Sequence, residues 1–449
     1  MRGIRHNVQI LLFFALASTP AFLAGFEVDV EGTNNPDREE LFMDWGLGMF
    51  IHWSLDAELG SVISHNMIGA SDDYLDRYFN ELPKYFDAKD FDPEEWVRLA
   101  KMAGFKYMVL TTKHHSGFCM WPTATTDFSI LNTPFGEDGK DIVRMFVNAC
   151  RKYDMKVGFY FSPEDFHFLH ENGHTIRRGR VEPYQMISTN PDLLAYNKRQ
   201  LDELFTQYGP IDVAFVDSRD YAAVRDYIHK LQPDCIVTRG AMTTPEQNVP
   251  DEPMPGPWEA CFTLGTQWQF KPTNEEYKSG TELINMLIDI RAKGGNLLIN
   301  MGPEPSGKIP FEQERTFREL GLWMFVNREA IHGIRPAPRI KEGDLYFTRC
   351  KDDPSVVYVF IPQGEEHWSL GARREFTIES LTASGEVKIS VLGQNDLVVS
   401  NQHRNVPTSR VEVVDEGLEI SVVRAQRLYN NTRWPNPITV KLEGVQFKD

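Results

Sequence analysis

Residues 191–238, PDLLAYNKRQLDELFTQYGPIDVAFVDSRDYAAVRDYIHKLQPDCIVT, alternate twice between helical and strand-like patterns. Pro191 to Gln207 has helical period and Asp212 to Asp217 (DVAFVD) is a short apolar run. Ala222 to Leu231 is helical again, and Cys235 to Thr238 returns to strand. The strands are apolar throughout rather than alternating with period two. A strand with one wet face alternates; a continuous apolar run is buried on both faces and belongs to a parallel sheet covered by helices.

The same alternation extends outward in both directions. Upstream, Gly48 to Trp53 (GMFIHW), Tyr107 to Thr111 (YMVLT) and Lys156 to Ser162 (KVGFYFS) are strand-like, with helical stretches at Pro93 to Gly104 and Asp141 to Tyr153 between them. Downstream, the helical stretch Thr281 to Lys293 precedes the run Asn296 to Asn300 (NLLIN). Over residues 25–335 this pattern predicts an α/β fold, a (β/α)8 TIM-like barrel, with polar residues gathered just after the strands. From residue 336 to 449 the texture changes. Short runs such as Val356 to Ile361, Val387 to Leu392, Leu418 to Val422 and Ile438 to Leu442 alternate with Gly, Asn and charged turns, which predicts a C-terminal antiparallel β-sandwich.

A chain of 449 residues, 41% apolar and 25% charged, is long enough for two or three domains with substantial cores. Its 47 basic and 64 acidic residues give a net charge of −17, which repels phosphates and argues against a nucleic-acid partner. Residues 1–24 read as an export signal. Arg2, Arg5 and His6 precede the apolar run Ile10 to Ala17, and small residues follow through Ala24. That run is too short to span a bilayer, and no later segment is apolar enough, so the expected location is secreted or periplasmic without membrane insertion. Cys119, Cys150, Cys235, Cys261 and Cys350 are odd in number and contain no CxxC pair, which supports neither a zinc knuckle nor a dense disulfide framework. One or two bridges, or buried thiols, remain open readings. Asn430-Asn431-Thr432 is a lone glycosylation sequon. The pattern fixes no oligomeric state.

Two groups of residues could carry chemistry. Lys113-His114-His115 follows one apolar strand and His52 lies inside another. No HExxH spacing or Cys pair completes a metal site, so the reading is no metal, with the histidines serving as hydrogen-bond donors and acceptors. Asp217 ends the DVAFVD strand at the rim of an apolar core, which suits a nucleophile but also a helix N-cap. The following loop offers Glu246, Asp251, Glu252 and then Glu259. A pair of carboxylates facing one another would supply what glycoside hydrolysis uses.

Four segments carry a resemblance to glycoside hydrolase family twenty-nine, the α-L-fucosidases. WGLGMFIHWS (45–54) resembles the family's W-x-x-G-x-F-x-H-W-G opening. YMVLTTKHHSGFCMWPTATTDFSI (107–130) is similar to its K-H-H-D-G-F block, and DVAFVD (212–217) to its L-W-F-D strand. GGNLLINMGPEPSGKIP (294–310) is similar to its G-G-N-x-L-L-N-x-G-P-x-x-D-G. The resemblance covers about residues 40–335 and, more loosely, the C-terminal region. It implies a catalytic barrel followed by a β-sandwich, in agreement with the patterning.

The resemblance further implies that Asp217 is the nucleophile and that His52, His114 and His115 bind fucose hydroxyls. Arg239 matches an arginine that approaches the sugar near the nucleophile strand, and Trp268 in TLGTQWQF matches a family aromatic. For the acid/base it offers Glu246 first and Glu259 second. Glu246 lies in a loop stiffened by prolines; Glu259, beside Trp258 and before an apolar run, reads as strand-borne and suited to holding a neighbour such as Arg239. Three departures bear on the sugar site. Ser116 replaces the Asp of K-H-H-D, Phe215 stands where the family has Trp, and SVISHNMI (61–68) has His65 and Asn66 in place of a Glu-Trp pair.

The implied function is a secreted retaining exo-glycosidase acting on terminal α-L-fucosides of oligosaccharides or glycoconjugates, through an aspartyl glycosyl-enzyme and without a cofactor. An α-L-galactosidase or related glycosidase on the same scaffold, a non-catalytic carbohydrate-binding homologue, and a metal-dependent hydrolase are the competing readings.

Overall fold

A computed structural model describes residues 34–448 except 178–181, 364–367, 396, 399–405, 408, 427 and 429–433. The leader and the sequon therefore lie outside the described residues.

The strand-like runs of the N-terminal part form one parallel sheet. Its members are β1 (Leu47–Ile51), β2 (Tyr107–Lys113), β3 (Lys156–Phe161), β4 (Val213–Val216), β5 (Ile236–Val237), β6 (Glu259–Phe262) and β7 (Asn296–Met301), in the order β5-β4-β3-β2-β1-β7-β6. Helices Pro93–Met102, Ile142–Lys152, Pro191–Gln207, Ala222–Leu231, Gly280–Ala292 and Phe311–Asn327 cover it. Phe50, Tyr107, Val109, Tyr160, Val213, Phe215, Ile236, Cys261 and Leu298, each two residues from the next inward position, pack together as the barrel interior. A Cβ on Gly48 would sit 2.2 Å from the Tyr107 ring, so glycine is what lets this aromatic fill the interior.

Eight strands were expected, and seven are regular. The place between β5 and β6 is taken by the irregular stretch 239–247. It joins β4 through Val216 N–H to the Arg239 carbonyl at 3.2 Å, and β6 through Cys261 N–H to the Pro245 carbonyl and Gln247 N–H to the Cys261 carbonyl, both at 2.9 Å. Pro245 has no N–H to give, and Gln247 sits at φ 53°, so a regular ladder cannot propagate here.

The C-terminal part is antiparallel throughout. A five-stranded sheet contains β8 (Ile334–Glu342), β9 (Leu345–Cys350), β10 (Val357–Ile361), β12 (Leu381–Val391) and β17 (Ile438–Phe447), ordered β12-β17-β10-β9-β8. A three-stranded sheet pairs β11 (Arg373–Ile378) with β16 (Gly417–Val423) and β15 (Ser409–Val414), and a short ribbon pairs β13 (Leu397–Val398) with β14 (Val406–Pro407). Phe347, Val359, Ile361, Leu381, Ile420, Val422 and Leu442 form the core between the two larger sheets. Trp323 Nε1 donates to the Pro437 carbonyl at 2.9 Å, and Asp44 pairs with Arg335 and Lys351 at 2.8 and 2.9 Å; these contacts dock the sandwich onto the barrel. All five cysteines are free, so no bridge forms, and four of them are buried. No helix among the described residues is long and apolar enough to cross a membrane.

Candidate active site

In β1, β3 and β4 the interior parity continues one step beyond the strand's end, and there the side chains turn polar. His52 follows β1, Ser162 follows β3, Asp217 follows β4, and Asn300 occupies the equivalent layer of β7. Strand ends in a barrel converge, so this alternation alone gathers a polar ring above an aromatic floor.

Asp217 is the centre of that ring. Its Oδ2 accepts from the Tyr160 hydroxyl at 2.7 Å and lies 3.5 Å from His115 Nε2; its Oδ1 accepts from Arg239 Nη1 at 2.9 Å. Burial alone would raise its pKa, but the Arg239 charge, His115 and the Tyr160 hydrogen bond outweigh burial and hold the carboxyl well below the usual carboxylate range. Asp217 keeps 24% side-chain exposure. It caps no helix: the next helix begins at Ala222 with Tyr221 as N-cap and no side-chain cap bond.

Arg239 joins this carboxylate to a second one. Its Nη2 donates to Glu246 Oε2 at 2.8 Å, its Nε to Thr244 at 3.2 Å, and its guanidinium lies 4.7 Å from the centre of the Phe215 ring. Glu246 rides on the irregular stretch that replaces the eighth strand, and its side chain is 42% exposed. Glu259 is elsewhere. It is the first residue of β6, opposite the end where Asp217 lies, fully buried, and its carboxylate accepts from the Tyr107 hydroxyl. The expectation that it braces Arg239 is corrected: Tyr107 is its partner, and burial pushes its pKa up to about 7.

The four histidines converge. The His114 ring centre lies 4.4 Å from that of His115, 5.9 Å from that of His52 and 6.0 Å from that of His65. His114 stacks on Tyr160 at 5.2 Å, and His52 lies 4.8 Å from Trp268. Burial pushes the His52 pKa down to about 3 and that of His114 well below its ordinary value, so both rings are neutral. His52 Nδ1 meets Asn300 Oδ1 at 2.6 Å, His114 Nδ1 meets Ser64 Oγ at 2.8 Å, and His115 Nδ1 meets Ser162 Oγ at 2.5 Å.

Lys113 does not join them. Thr112 is an extra residue in the β2–β3 register, which pairs Thr111 with Tyr160 and Lys113 with Phe161. The bulge reverses the side-chain phase. Lys113 therefore points into the helix layer, where it meets Asp165, Asn197 and Gln200 at 3.1, 3.2 and 2.8 Å, fully buried. A ring nitrogen each from His114 and His115 and an oxygen of Asp217 lie within 4.8 Å of one another, close enough for a metal. Arg239 already stands against that carboxylate with a permanent charge, which opposes a cation there.

Sequence reading missed Tyr160, Asn300, Ser162, Ser64 and Glu164, whose carboxylate lies 3.9 Å from His115 Nδ1. The first three share the inward parity of Phe50, Val213 and Phe215, a signal present in the chain. Ser64 and Glu164 sit in loops that parity does not reach.

A family model described as alpha-L-fucosidase matches residues 16–329. Plasma alpha-L-fucosidase of Rattus norvegicus is 28% identical over 364 residues, 72% of this chain and 74% of the rat protein. Among solved structures, alpha-L-fucosidase isoenzyme 1 from Paenibacillus thiaminolyticus superposes with a TM-score of 0.68 at 27% identity, covering 92% of this chain and 99% of its own. A Bacteroides thetaiotaomicron alpha-L-fucosidase, described as a trapped covalent intermediate with 2-fluoro-fucosyl fluoride, shares the fold with a TM-score of 0.70 at 23% identity, covering 93% and 98% of the two chains.

Proposed function

The chain belongs to the α-L-fucosidase family of glycoside hydrolases, and from that membership we propose that it is a secreted exo-glycosidase that removes terminal α-L-fucosyl groups with retention. The observation that carries the reading is one guanidinium holding two carboxylates, Asp217 at 2.9 Å and Glu246 at 2.8 Å. Paired carboxylates at one site are what a retaining displacement needs.

In this reading Asp217 Oδ attacks the anomeric carbon, forming an ester as the glycosidic C–O bond breaks. Glu246, in its protonated form, gives its proton to the departing oxygen. It then takes a proton from water, whose oxygen displaces Asp217 and releases the sugar with its original configuration. The donors around Asp217 keep it ionised and available as a nucleophile. Glu246 is open to solvent until a sugar covers it. His52, His65, His114 and His115 take the ring hydroxyls, and Trp268 with Phe215 offers aromatic faces to the sugar's apolar side. The substrate class is a fucosylated oligosaccharide or glycoconjugate, and no step calls for a cofactor. The segment Arg2 to Ala24 supports export.

Aryl α-L-fucoside, α-L-galactoside and β-D-galactoside substrates test the glycon. The reading requires turnover of the first above the other two; preference for the α-L-galactoside would reassign it. Azide tests the acid/base. With an aryl fucoside bearing a good leaving group, Glu246→Ala should accumulate glycosyl-enzyme and azide should accelerate its breakdown to an α-configured glycosyl azide. Rescue confined to Glu259→Ala would refute Glu246.

A further inference from the structure

The stretch 61–68, which departs from the family pattern, carries a serine in a conformation serines avoid. Ser64 has φ 56° and ψ −36°, a region that a non-glycine residue occupies only when its surroundings impose it. They do so here. Asp56, fully buried, accepts from the Tyr78 hydroxyl and from Asn66 Nδ2, each at 2.6 Å. Asn66 Nδ2 also reaches the Val62 carbonyl at 2.7 Å, and Asn66 Oδ1 accepts from Tyr74 at 2.9 Å. One amide side chain thus ties down the chain on either side of Ser64.

The result is a fixed hydroxyl with two partners among the described residues. Ser64 Oγ accepts from the Ser116 backbone N–H at 2.8 Å and meets His114 Nδ1 at 2.8 Å. A hydroxyl has one proton, and of these two partners only Nδ1 can accept it. Ser64 is fully buried, so a proton withheld from Nδ1 would have no acceptor among the described residues; this favours Nδ1 as the acceptor and places the proton of the neutral ring on Nε2. His115 has the opposite arrangement: Ser162 Oγ gives its proton to the Glu164 carbonyl at 3.0 Å, so His115 Nδ1 must be the donor to Ser162. The two serines therefore make opposite demands on Nδ1 of adjacent histidines, acceptor in His114 and donor in His115.

We propose that Ser64 is a positioning residue that fixes the Nε2–H tautomer of His114, so that the ring enters the site as a hydrogen-bond donor to a substrate hydroxyl. The inference rests on the reading of this site as a sugar site. Its consequence for specificity is direct: the hydroxyl facing His114 must be an acceptor, and a sugar lacking oxygen at that position loses the contact.

Ser64→Gly tests it, because glycine adopts positive φ freely and the substitution removes the hydroxyl while leaving the backbone conformation in reach. Ser64→Ala serves as a second variant. The thermal midpoint of Ser64→Gly should lie above that of Ser64→Ala, because both lose the acceptor of the buried Ser116 N–H but only glycine relieves the positive φ. In 15N-resolved imidazole spectra the His114 proton should move from Nε2 toward Nδ1, and kcat/KM on an aryl α-L-fucoside, with L-fucose affinity, should fall about tenfold, the weight of one net hydrogen bond. If either the tautomer or the fucose affinity stays at its wild-type value in both variants, the proposal is overturned. Absence of turnover in the wild-type protein would count against the function reading alone, because the ring spectrum and the affinity test Ser64 without turnover.

Discussion

Glu259 and Glu246 stand thirteen positions apart in the chain, and their surroundings give them different chemistry. Glu259 is closed off against Tyr107, and folding moves its pKa from about 4.5 to about 7. Between those values the folded chain holds a proton that the unfolded chain has lost. The stabilisation is fully present below about pH 4.5 and drains away as pH rises to about 7, on the order of 3 kcal/mol. Glu259→Gln should abolish that slope, raise the melting temperature above pH 7 and leave turnover per folded molecule in place. A pH–stability curve unchanged from wild type would show that Glu259 is not protonated in the fold. Asp217 has the opposite sign. Its pKa is depressed, so its stabilising contribution is present above the ordinary carboxylate range and is lost only in strong acid. Residue type and the family resemblance marked both Glu246 and Glu259 as candidates. Which of them meets Arg239 was not legible, because that depends on where the proline-rich stretch runs in space.

At the scale of the element, the period-two parity of the barrel strands explains most of the site. Phe50 leads to His52, Phe215 to Asp217, and Leu298 to Asn300, each by one inward step. The strands were readable as apolar runs, so this convergence was implicit in the sequence. Two irregularities were not. The bulge at Thr112 sends Lys113 outward while its neighbour His114 faces the site. A run of adjacent polar residues gives no sign of which one turns away. The stretch 239–247 replaces a regular eighth strand, and the prolines that signal a loop do not reveal that the loop completes the wall. Lys113 permits a direct test. Asp165 is its fully buried partner and also caps the helix Phe166–Glu171 through Phe168 N–H at 2.8 Å, so its carboxylate cannot withdraw. Lys113→Met should cost about 3–5 kcal/mol by stranding that charge. Adding Asp165→Asn should recover part of the loss. Equal urea midpoints for wild type and Lys113→Met would contradict the assignment.

Across the whole molecule, a parallel barrel supplies the site at the C-terminal ends of its strands, and an antiparallel sandwich docks through Trp323, Asp44 and their partners. The shift from helical period to short alternating runs near residue 336 announced the second architecture, and β8 (Ile334–Glu342) runs across that point. Arg239 is a permanent cation in contact with both proposed catalytic carboxylates. That arrangement makes the identity of the nucleophile the claim on which the rest depends. Incubation with 2-fluoro-fucosyl fluoride, followed by proteolysis and mass spectrometry, tests it most directly. The account predicts one sugar adduct on the peptide containing Asp217, with no adduct and only residual turnover in a folded Asp217→Asn variant. Turnover of α-L-fucosides with the adduct on another residue, or with an inverted first product, would contradict it.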